Sequence, residues 1–260
     1  MRVILTRPAR EGQPWLAQLR GQGFGVESLP LIEIAALPDP APLQAAWRAL
    51  AVYGALMFVS RSAVDQFFAR QPPDAPAPWQ AGAAGPRVWA PGPGTAQALL
   101  AAGVPPGLVD SPAPEALQFD SEALWQRVAG QVHPGLRVLL LRGADAQGES
   151  AGREWLSAQL AGAGALVESV AAYRRRAPVL DAAQRALATA AAADGSVWVF
   201  SSSEAVQNLL RSLPGQGWSG ARAVATHPRI AQSLEAAGFG VVCRSRPAES
   251  DILAALESFQ

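Results

Sequence analysis

The sequence contains no lysine, one cysteine and two histidines, and each scarcity excludes a type of site. All 21 basic residues are arginines, which excludes a lysine Schiff base, a pyridoxal phosphate linkage and the phosphate-binding lysine of a P-loop. Cys243 has no second cysteine to pair with, and His133 and His227 are the only histidines. A disulfide framework and a Cys/His zinc site are therefore excluded. A magnesium site built from carboxylates alone stays open, although no cluster of Asp and Glu at ligand spacing indicates one.

Excess charge and long apolar runs are also missing. The 21 acidic residues balance the 21 basic ones, so no global field attracts the chain to nucleic acid or to an anionic membrane. The apolar run before Thr6 is too short for a signal peptide, and no stretch approaches the roughly 20 apolar residues of a membrane span. We therefore expect a soluble, cytoplasmic protein that binds neither nucleic acid nor membrane. The oligomeric state does not follow from these features, and a monomer is the working expectation.

Half of the 260 residues are hydrophobic, enough for one large core or two modest ones. Short apolar runs alternate with amphipathic helical stretches, a pattern typical of α/β layers around parallel strands. The predicted strands are Val3–Thr6, Val26–Leu29, Leu56–Ser60, Val88–Ala90, Val138–Leu141, Leu166–Ala171, Val197–Phe200, Ala223–Ala225 and Val241–Cys243, with a shorter one at Leu108–Asp110. The predicted helices include Pro14–Gln22, Ala63–Ala69, Thr95–Ala102, Arg153–Ala161, Ala205–Leu210 and Pro228–Ala237.

Three kinds of strand–helix segment each occur twice. RVILTR at 2–7 resembles RVLLLR at 137–142, and LMFVSRSAV from residue 56 resembles VWVFSSSEAV from residue 197. The stretch VWAPGPGTAQALLAAGV from residue 88 resembles RAVATHPRIAQSLEAAGF from residue 222. The pattern indicates a duplicated architecture. The alternative is that strand–helix units of any Ala-rich protein look alike.

Two extended connectors predict how the chain is divided into domains. PLIEIAALPDPAPL leaves the first strand–helix unit, and the stretch from Tyr173 to Pro178 forms a second connector whose run Arg174–Arg176 reads as a solvated linker face. We therefore predict a discontinuous first α/β domain of residues 1–35 and 176–260 and an inserted second α/β domain of residues 36–175. The hinge linkers would lie near 30–38 and 172–178.

The Gly-rich turn at 91–95 raises the question of a nucleotide site. The dinucleotide fingerprint requires a third glycine, but Gly92 and Gly94 are followed by Gln97, and a P-loop requires a lysine. Both nucleotide readings fail. A turn that directs backbone N–H groups into a helix N-terminus nevertheless attracts anions.

Several of these segments together resemble the uroporphyrinogen-III synthase family over essentially the whole chain. They are the start VILTRP, the strand–turn FVSRSAV and its partner FSSSEAV, the GPGTAQAL turn, RG followed by GREWL, and a Tyr that closes the second-domain strand. The resemblance implies two flavodoxin-like α/β domains, each a doubly wound parallel sheet, joined by a two-stranded linker. It also implies an active site in the cleft between the domains, with no cofactor and no metal.

The implied reaction cyclises hydroxymethylbilane, an open-chain tetrapyrrole, with loss of water and inversion of ring D through a spiro intermediate. Because the substrate also closes spontaneously to the uninverted isomer, the enzyme's main task is to hold a folded geometry, and orientation can supply roughly 7–11 kcal/mol. The substrate carries eight carboxylates, so turns at helix N-termini are the expected binding elements.

Binding loops in parallel α/β sheets lie beyond the carboxyl ends of the strands, where the repeated turns fall. From the first domain we expect substrate contacts by Thr6, Arg7, Ser201, Ser202, Ser203, His227, Pro228 and Arg229. From the second domain we expect Ser60, Arg61, Ser62, Gly92, Gly94, Thr95, Arg142 and Arg153. Tyr173 is the expected catalytic residue, as a phenol that protonates or hydrogen-bonds the departing hydroxyl, the role proposed for the family's Tyr at this place.

Each assignment has a structural alternative. The serines at 60, 62, 202 and 203 are also candidates for helix N-caps, Arg7 and Arg142 for partners of protein carboxylates, and Tyr173 for an aromatic plug. Where the family commonly has a Gly and a Thr before the Ala, this chain has His227 and Ile230. His227 is therefore either a replacement for a lost hydroxyl contact or a surface residue of a turn.

Two other functions stay open at this point. A two-lobed module that binds a small acid without catalysis also fits the connectors and turns, and turnover of a tetrapyrrole separates it from the enzyme. A nucleotide-dependent oxidoreductase is disfavoured by the missing fingerprint.

Overall fold

The structure is a computed structural model that describes residues 1–75, 78–79, 85–113, 116, 118–144 and 154–260. The chain divides into two compact units. Unit 1 comprises Met1–Glu33 and Arg176–Gln260, and unit 2 comprises Ile34–Arg175.

Strands and helices alternate through both units. The strands are β1 (Arg2–Leu5), β2 (Gly25–Ser28), β3 (Glu33–Ala35), β4 (Ala55–Phe58), β5 (Arg87–Trp89), β6 (Val109–Asp110), β7 (Arg137–Ala144), β8 (Leu166–Arg176), β9 (Val197–Phe200), β10 (Arg222–Ala225) and β11 (Val241–Arg244). The helices are α1 (Ala9–Gly21), α2 (Ala41–Arg48), α3 (Arg61–Phe68), α4 (Pro93–Ala101), α5 (Ser121–Val128), α6 (Glu154–Gly162), α7 (Ala182–Ala191), α8 (Ser203–Ser212), α9 (Pro228–Ala236) and α10 (Glu249–Glu257).

Unit 1 is a flavodoxin-like fold. Its sheet has the order β2-β1-β9-β10-β11, and each of the four neighbouring pairs is parallel. Numbered along unit 1 alone, this order is 2-1-3-4-5, the doubly wound arrangement of flavodoxin. The topological switch point lies between β1 and β9, where successive connections leave in opposite directions.

Unit 2 has the same sheet with a permuted chain order. Its strands follow the order β3-β8-β7-β4-β5-β6, and the pairs from β8 to β6 are parallel. If the count begins at β7, this order again reads 2-1-3-4-5, with β3 added at the edge beside β8. The switch point therefore lies between β7 and β4.

The two sheets confirm the duplication that the sequence predicts. The first segment pair forms β1 and β7, the second forms β9 and β4, and the third forms β10 and β5. Each pair occupies the same position in its own sheet. The likeness is therefore one of architecture, because composition alone would not place all three pairs at matching positions.

The central strands are buried on both faces. In β4, Leu56 and Phe58 pack in one apolar cluster, whereas Ala55 and Met57 pack in another on the opposite face. All four side chains are at most 1% exposed. This accounts for the continuous apolar runs in the sequence, since parallel sheets are covered by helices on both sides.

Helix α1 starts earlier than predicted, at Ala9 rather than at Pro14. Gly12 N donates to Pro8 O at 2.9 Å, so the first turn forms before Pro14 is reached. Pro14 then lies inside the helix, where it has no N–H to offer to the preceding turn. Proline is common in the first turn of helices, which makes it a misleading start signal here.

Strands β7 and β8 are longer than predicted, and this changes the position of three expected residues. Arg142 lies inside β7 rather than after it, and Tyr173 lies inside β8 rather than at its end. The run Arg174–Arg176 also belongs to β8. Arg174 and Arg175 are half-buried, whereas Arg176 is exposed and forms an ion pair with Glu33. Pairing with β7 extends β8, a non-local effect that the sequence pattern does not show.

A polar cluster beside the first residues of β4 and β7 gives unit 2 an acid-sensitive contact. The Tyr53 hydroxyl donates to Glu168 Oε2 at 2.8 Å, and Arg137 forms an ion pair with the same carboxylate. The hydrogen bond from Tyr53, followed by the contact with Arg137, lowers the pKa of Glu168 below its ordinary value.

The lowered pKa of Glu168 predicts a loss of stability in acid. The folded state holds this carboxylate ionised, so its contribution is present above the ordinary carboxyl pKa of about 4.3 and is lost as the pH falls through the lower folded value. Between about pH 5 and pH 3 the parent should lose its advantage over Glu168→Gln in thermal unfolding. The pair is exposed, so the difference in Tm should not exceed about 3 °C. An equal difference at pH 7 and pH 3 would contradict this assignment.

Candidate active site

Most of the expected site residues within the described ranges lie at or near the carboxyl ends of the strands. In open α/β sheets, ligands bind at this edge. In unit 1, Thr6 and Arg7 follow β1, the three serines from Ser201 follow β9, and His227–Arg229 follow β10. The corresponding turns of unit 2 follow β4 and β5, and Arg142 lies near the end of β7.

Thr6 is a buried residue at the switch point of unit 1, directly after β1. It is 1% exposed, and its Oγ1 donates to Val199 O of the neighbouring strand at 2.8 Å. Its carbonyl accepts from Leu31 N at 3.2 Å. The hydroxyl is thus used within the unit, where it fixes the start of the β1–α1 turn.

Arg7 is a partly desolvated cation at the same edge. Its Cζ lies 4.6 Å from the centroid of the Trp15 ring, a cation–π contact. Burial lowers the pKa of the Arg7 guanidinium from its ordinary value, and the charge of Glu11 opposes part of that shift. Within the described part of the chain, Arg7 Nε has no hydrogen-bond partner. The guanidinium stays charged at neutral pH and is suited to bind a carboxylate.

The serines after β9 differ in role. Ser202 is the N-cap of α8, with its Oγ accepting from Glu204 N at 3.2 Å. Ser201 precedes it and Ser203 is the first helical residue, and all three are half-buried. The capping alternative is therefore confirmed for Ser202 and is wrong for Ser203.

His227 caps the next helix of unit 1. Its Nδ1 accepts from Arg229 N at 3.1 Å, which requires that this nitrogen carry no proton. Pro228 occupies the first helical position, where its missing N–H costs nothing. The His227 and Pro228 side chains are half-buried, and Arg229 is exposed. The imidazole nitrogen therefore caps the helix as a serine or threonine hydroxyl would.

In unit 2 the structure brings Tyr173 and Ser60 together. The Tyr173 Oη and the Ser60 Oγ are 3.0 Å apart. Ser60 is also the N-cap of α3, with its Oγ accepting from Ala63 N at 3.2 Å. The Tyr173 ring is 3% exposed and packs in the apolar core of the unit, as an aromatic plug would. Its hydroxyl, however, meets the polar turn at the carboxyl edge.

Gly143 is a residue that the sequence analysis missed. Tyr173 pairs with Gly143 on β7, next to a β-bulge between Arg142 and Gly143. A Cβ added to Gly143 would lie 2.8 Å from Cε2 and Cζ of Tyr173 and 3.0 Å from its Oη. The ring therefore lies against the bare backbone of β7, and its hydroxyl reaches Ser60, which follows β4. A glycine inside a strand often marks a bulge or a close approach, but the predicted strand ended at Leu141, before this glycine.

The turn after β5 relies on a glycine for packing. Gly92 is the N-cap of α4, and a Cβ there would lie 3.3 Å from Phe119 Cβ, a tight contact. No side chain in the described part of the chain caps this helix. Gly94 is exposed and Thr95 is 7% exposed. This turn can offer mainly backbone N–H groups to a ligand.

The remaining expected residues of unit 2 are dispersed. Arg61 is exposed, with its Nε 3.9 Å from Asp65 Oδ2, and Ser62 is 6% exposed. Arg142 Nε donates to Ser169 Oγ at 2.6 Å. Arg153 lies outside the described residues. Among the expected residues of this unit, Ser60 and Tyr173 form a direct side-chain pair.

Two parallel α/β units of the order 2-1-3-4-5, each with turns at its carboxyl edge, define the class of a duplicated flavodoxin-like protein. The chain belongs to the uroporphyrinogen-III synthase family. It matches the family model described as "Uroporphyrinogen-III synthase HemD" over residues 13–254. The name links the family to an enzyme of tetrapyrrole biosynthesis.

Individual relatives agree with this assignment. The chain is 31% identical over 224 residues to a protein of Synechococcus elongatus named uroporphyrinogen-III synthase, with 84% of this chain and 77% of the relative covered. The crystal structure of uroporphyrinogen-III synthetase from Helicobacter pylori superposes with a TM-score of 0.60 at 16% identity and covers 100% of both chains. A mutant uroporphyrinogen III synthase from Thermus thermophilus gives 0.56 at 18% identity, with 99% of both chains covered. At such identities the two structures support the fold alone.

Two further observations concern the described residues only. None of the helices in the described ranges combines the length and the apolar character that crossing a membrane requires. In those same ranges, no group of three or more His, Cys, Asp or Glu side chains is arranged to hold a metal ion.

Proposed function

We propose that this chain is a cofactor-independent lyase that cyclises hydroxymethylbilane to uroporphyrinogen III with loss of water and inversion of ring D. Family membership supports the proposed reaction. The proposed mechanism is supported by the contact between Tyr173 and Ser60 at the carboxyl edge of the unit 2 sheet. The proposal includes a monomer acting in the cytoplasm, which light scattering and cell fractionation would test.

Binding would use the turns of both units. The substrate's carboxylates would be bound by backbone N–H groups at the starts of α3, α4, α8 and α9, where the helix dipole favours negative charge. Arg7, Arg61, Arg142, Arg153 and Arg229 would add charge-assisted hydrogen bonds. The buried Thr6, Ser62 and Thr95 would hold the turns in shape rather than contact the substrate through their side chains. The half-buried Ser201 and Ser203 would contact it directly.

Tyr173 would act on the leaving group. As the C–O bond of the hydroxymethyl group breaks, the phenolic proton passes to the departing oxygen and water leaves. The electron pair of the pyrrole nitrogen stabilises the carbon left behind, and a proton lost later from the substrate restores the phenol. Proton transfer from a positioned side chain typically contributes 10²- to 10⁴-fold. Orientation of the folded substrate by both sets of turns would supply the rest.

Substitutions of His227, the N-cap of α9, test whether the geometry of this turn matters for stability and turnover. Replacement by alanine removes the cap of α9 and should cost about 1 kcal/mol of stability, or a Tm loss of roughly 2–4 °C. His227→Asn keeps a capping acceptor, so its Tm and kcat should stay near those of the parent. Thermal unfolding and turnover of both variants are the measurements. An Asn variant with the parental Tm but a strongly reduced kcat would show that the imidazole itself contacts the substrate.

Multiple turnover separates the enzyme from a module that only binds a small acid. Freshly generated hydroxymethylbilane is supplied in large excess over protein dialysed against a chelator, and its disappearance is followed against a protein-free blank. The proposal requires many turnovers per chain, with no gain on adding metal ions, nicotinamide or flavin. Loss of substrate at the blank rate, with stoichiometric binding, would favour the binding module. Activity restored only by an added metal or cofactor would contradict cofactor independence.

A further inference from the structure

Gly143 is the only described residue of β7 without a side chain, and it lies where Tyr173 crosses that strand. Tyr173 is in β8 and Ser60 follows β4, and β7 separates the two strands in the sheet. The phenol can therefore reach Ser60 only by passing over β7. A methyl group at position 143 would lie 2.8 Å from two ring carbons, well inside the usual contact distance of about 3.5–4.0 Å between carbon atoms.

Ser60 adds a directional constraint. One lone pair of its Oγ is used by Ala63 N in the cap of α3, so one hydrogen and one lone pair remain for the Tyr173 hydroxyl. If Ser60 donates to Tyr173 Oη, the phenolic hydrogen is directed to another acceptor, such as the departing hydroxyl. The same donated bond strengthens when Tyr173 gives up its proton, because an ionised acceptor makes a stronger hydrogen bond.

We infer that Gly143 and Ser60 are positioning residues for the Tyr173 hydroxyl, Gly143 by leaving room for the ring over β7 and Ser60 by donating a hydrogen bond to Oη. This inference rests on the proposed function for its kinetic consequence. The geometric part, the dependence of the phenol's environment on residues 60 and 143, stands without turnover.

The geometric part is tested by NMR with tyrosine labelled with ¹³C at Cζ. The chain has two tyrosines, so Tyr53 serves as an internal reference. Gly143→Ala and Ser60→Ala should each shift the Tyr173 Cζ signal and leave that of Tyr53 in place. Gly130→Ala is the matched control in unit 2, since a Cβ there meets nothing within 4 Å. An unmoved Tyr173 signal in both variants overturns the inference, whether or not the protein turns over substrate.

The kinetic part is tested by a double-mutant cycle. Gly143→Ala should lower kcat about 10- to 100-fold with little change in KM, but should cost no more than about 2-fold when Tyr173 is already phenylalanine. A merely structural role would give the same loss in both backgrounds and would overturn the inference.

If Gly143→Ala does not fold, substitutions of Ser60 test the inference instead. Ser60→Thr keeps both the cap and the donor and should retain kcat, whereas Ser60→Asp keeps the cap but offers no donor and should not. A parental kcat in Ser60→Asp would show that Ser60 serves only as the N-cap of α3, and it would overturn the positioning role of Ser60.

Discussion

Replacing Tyr173 by phenylalanine is expected to lower kcat about 100-fold while KM and the fold stay nearly unchanged. The ring fills a position that is 3% exposed and packs in the core of unit 2, so phenylalanine preserves the packing. The change removes one hydroxyl, its proton and its contact with Ser60 Oγ at 3.0 Å. A loss of 10²-fold is the lower end of what general acid catalysis typically contributes. The measurement is the initial rate of hydroxymethylbilane consumption over a range of substrate concentrations.

The other tyrosine supplies the control for this variant. Tyr53 donates to Glu168 at 2.8 Å, away from the carboxyl edge, so Tyr53→Phe should reduce stability slightly and leave kcat unchanged. A parental kcat for Tyr173→Phe would show that the residue is the aromatic plug of unit 2 and would remove it from the chemistry. Equal losses in both variants would indicate a general effect on folding.

Replacing Arg7 by glutamine is expected to lower kcat/KM about 10- to 100-fold, mainly through KM. The guanidinium is stacked on Trp15 at 4.6 Å, and burial has already lowered its pKa, so part of its desolvation has occurred before a ligand arrives. A hydrogen bond between charged groups is worth about 1.5–3 kcal/mol, and each 1.4 kcal/mol is a factor of ten. Steady-state kinetics with hydroxymethylbilane measure the effect.

Arg10 is the matched control because it is an exposed arginine three residues after Arg7, in the first turn of α1. Arg10→Gln should leave kcat/KM within about twofold, since an exposed charge is screened by solvent and salt. Arg7→Lys should recover only part of the loss, because lysine keeps the charge but lacks the planar fork. Similar small changes in kcat/KM for Arg7→Gln and Arg10→Gln would show that Arg7 packs against Trp15 and α1 without binding the substrate.

The sequence was sufficient to predict the architecture because the main determinants are local and repeated. Alternating apolar runs such as those around Leu56 and Leu139 predicted buried parallel strands, and the three duplicated segments predicted two related sheets. Both features are confirmed by the strand orders. The turns rich in Gly, Ser and Thr could be placed at the carboxyl edges for the same reason, since each follows its strand directly.

The side-chain contacts at the edge could not be predicted, because they join residues far apart in the chain. Tyr173 and Ser60 are separated by 113 positions, and the bulge that brings Tyr173 opposite Gly143 exists only when β7 and β8 pair. The cation–π contact of Arg7 with Trp15 is closer in sequence. It was nevertheless obscured by Pro14, because the helix that carries Trp15 was expected to begin there rather than at Ala9.

The most direct test of the proposed function is the isomer composition of the product. Purified protein is given freshly generated hydroxymethylbilane, the products are oxidised, and the type I and type III uroporphyrins are separated chromatographically. Type III should dominate for the parent, and the type I share should rise in Tyr173→Phe as spontaneous closure overtakes the slowed enzyme. Type I alone, formed by the parent at the rate seen without protein, would contradict ring-inverting cyclisation by this chain.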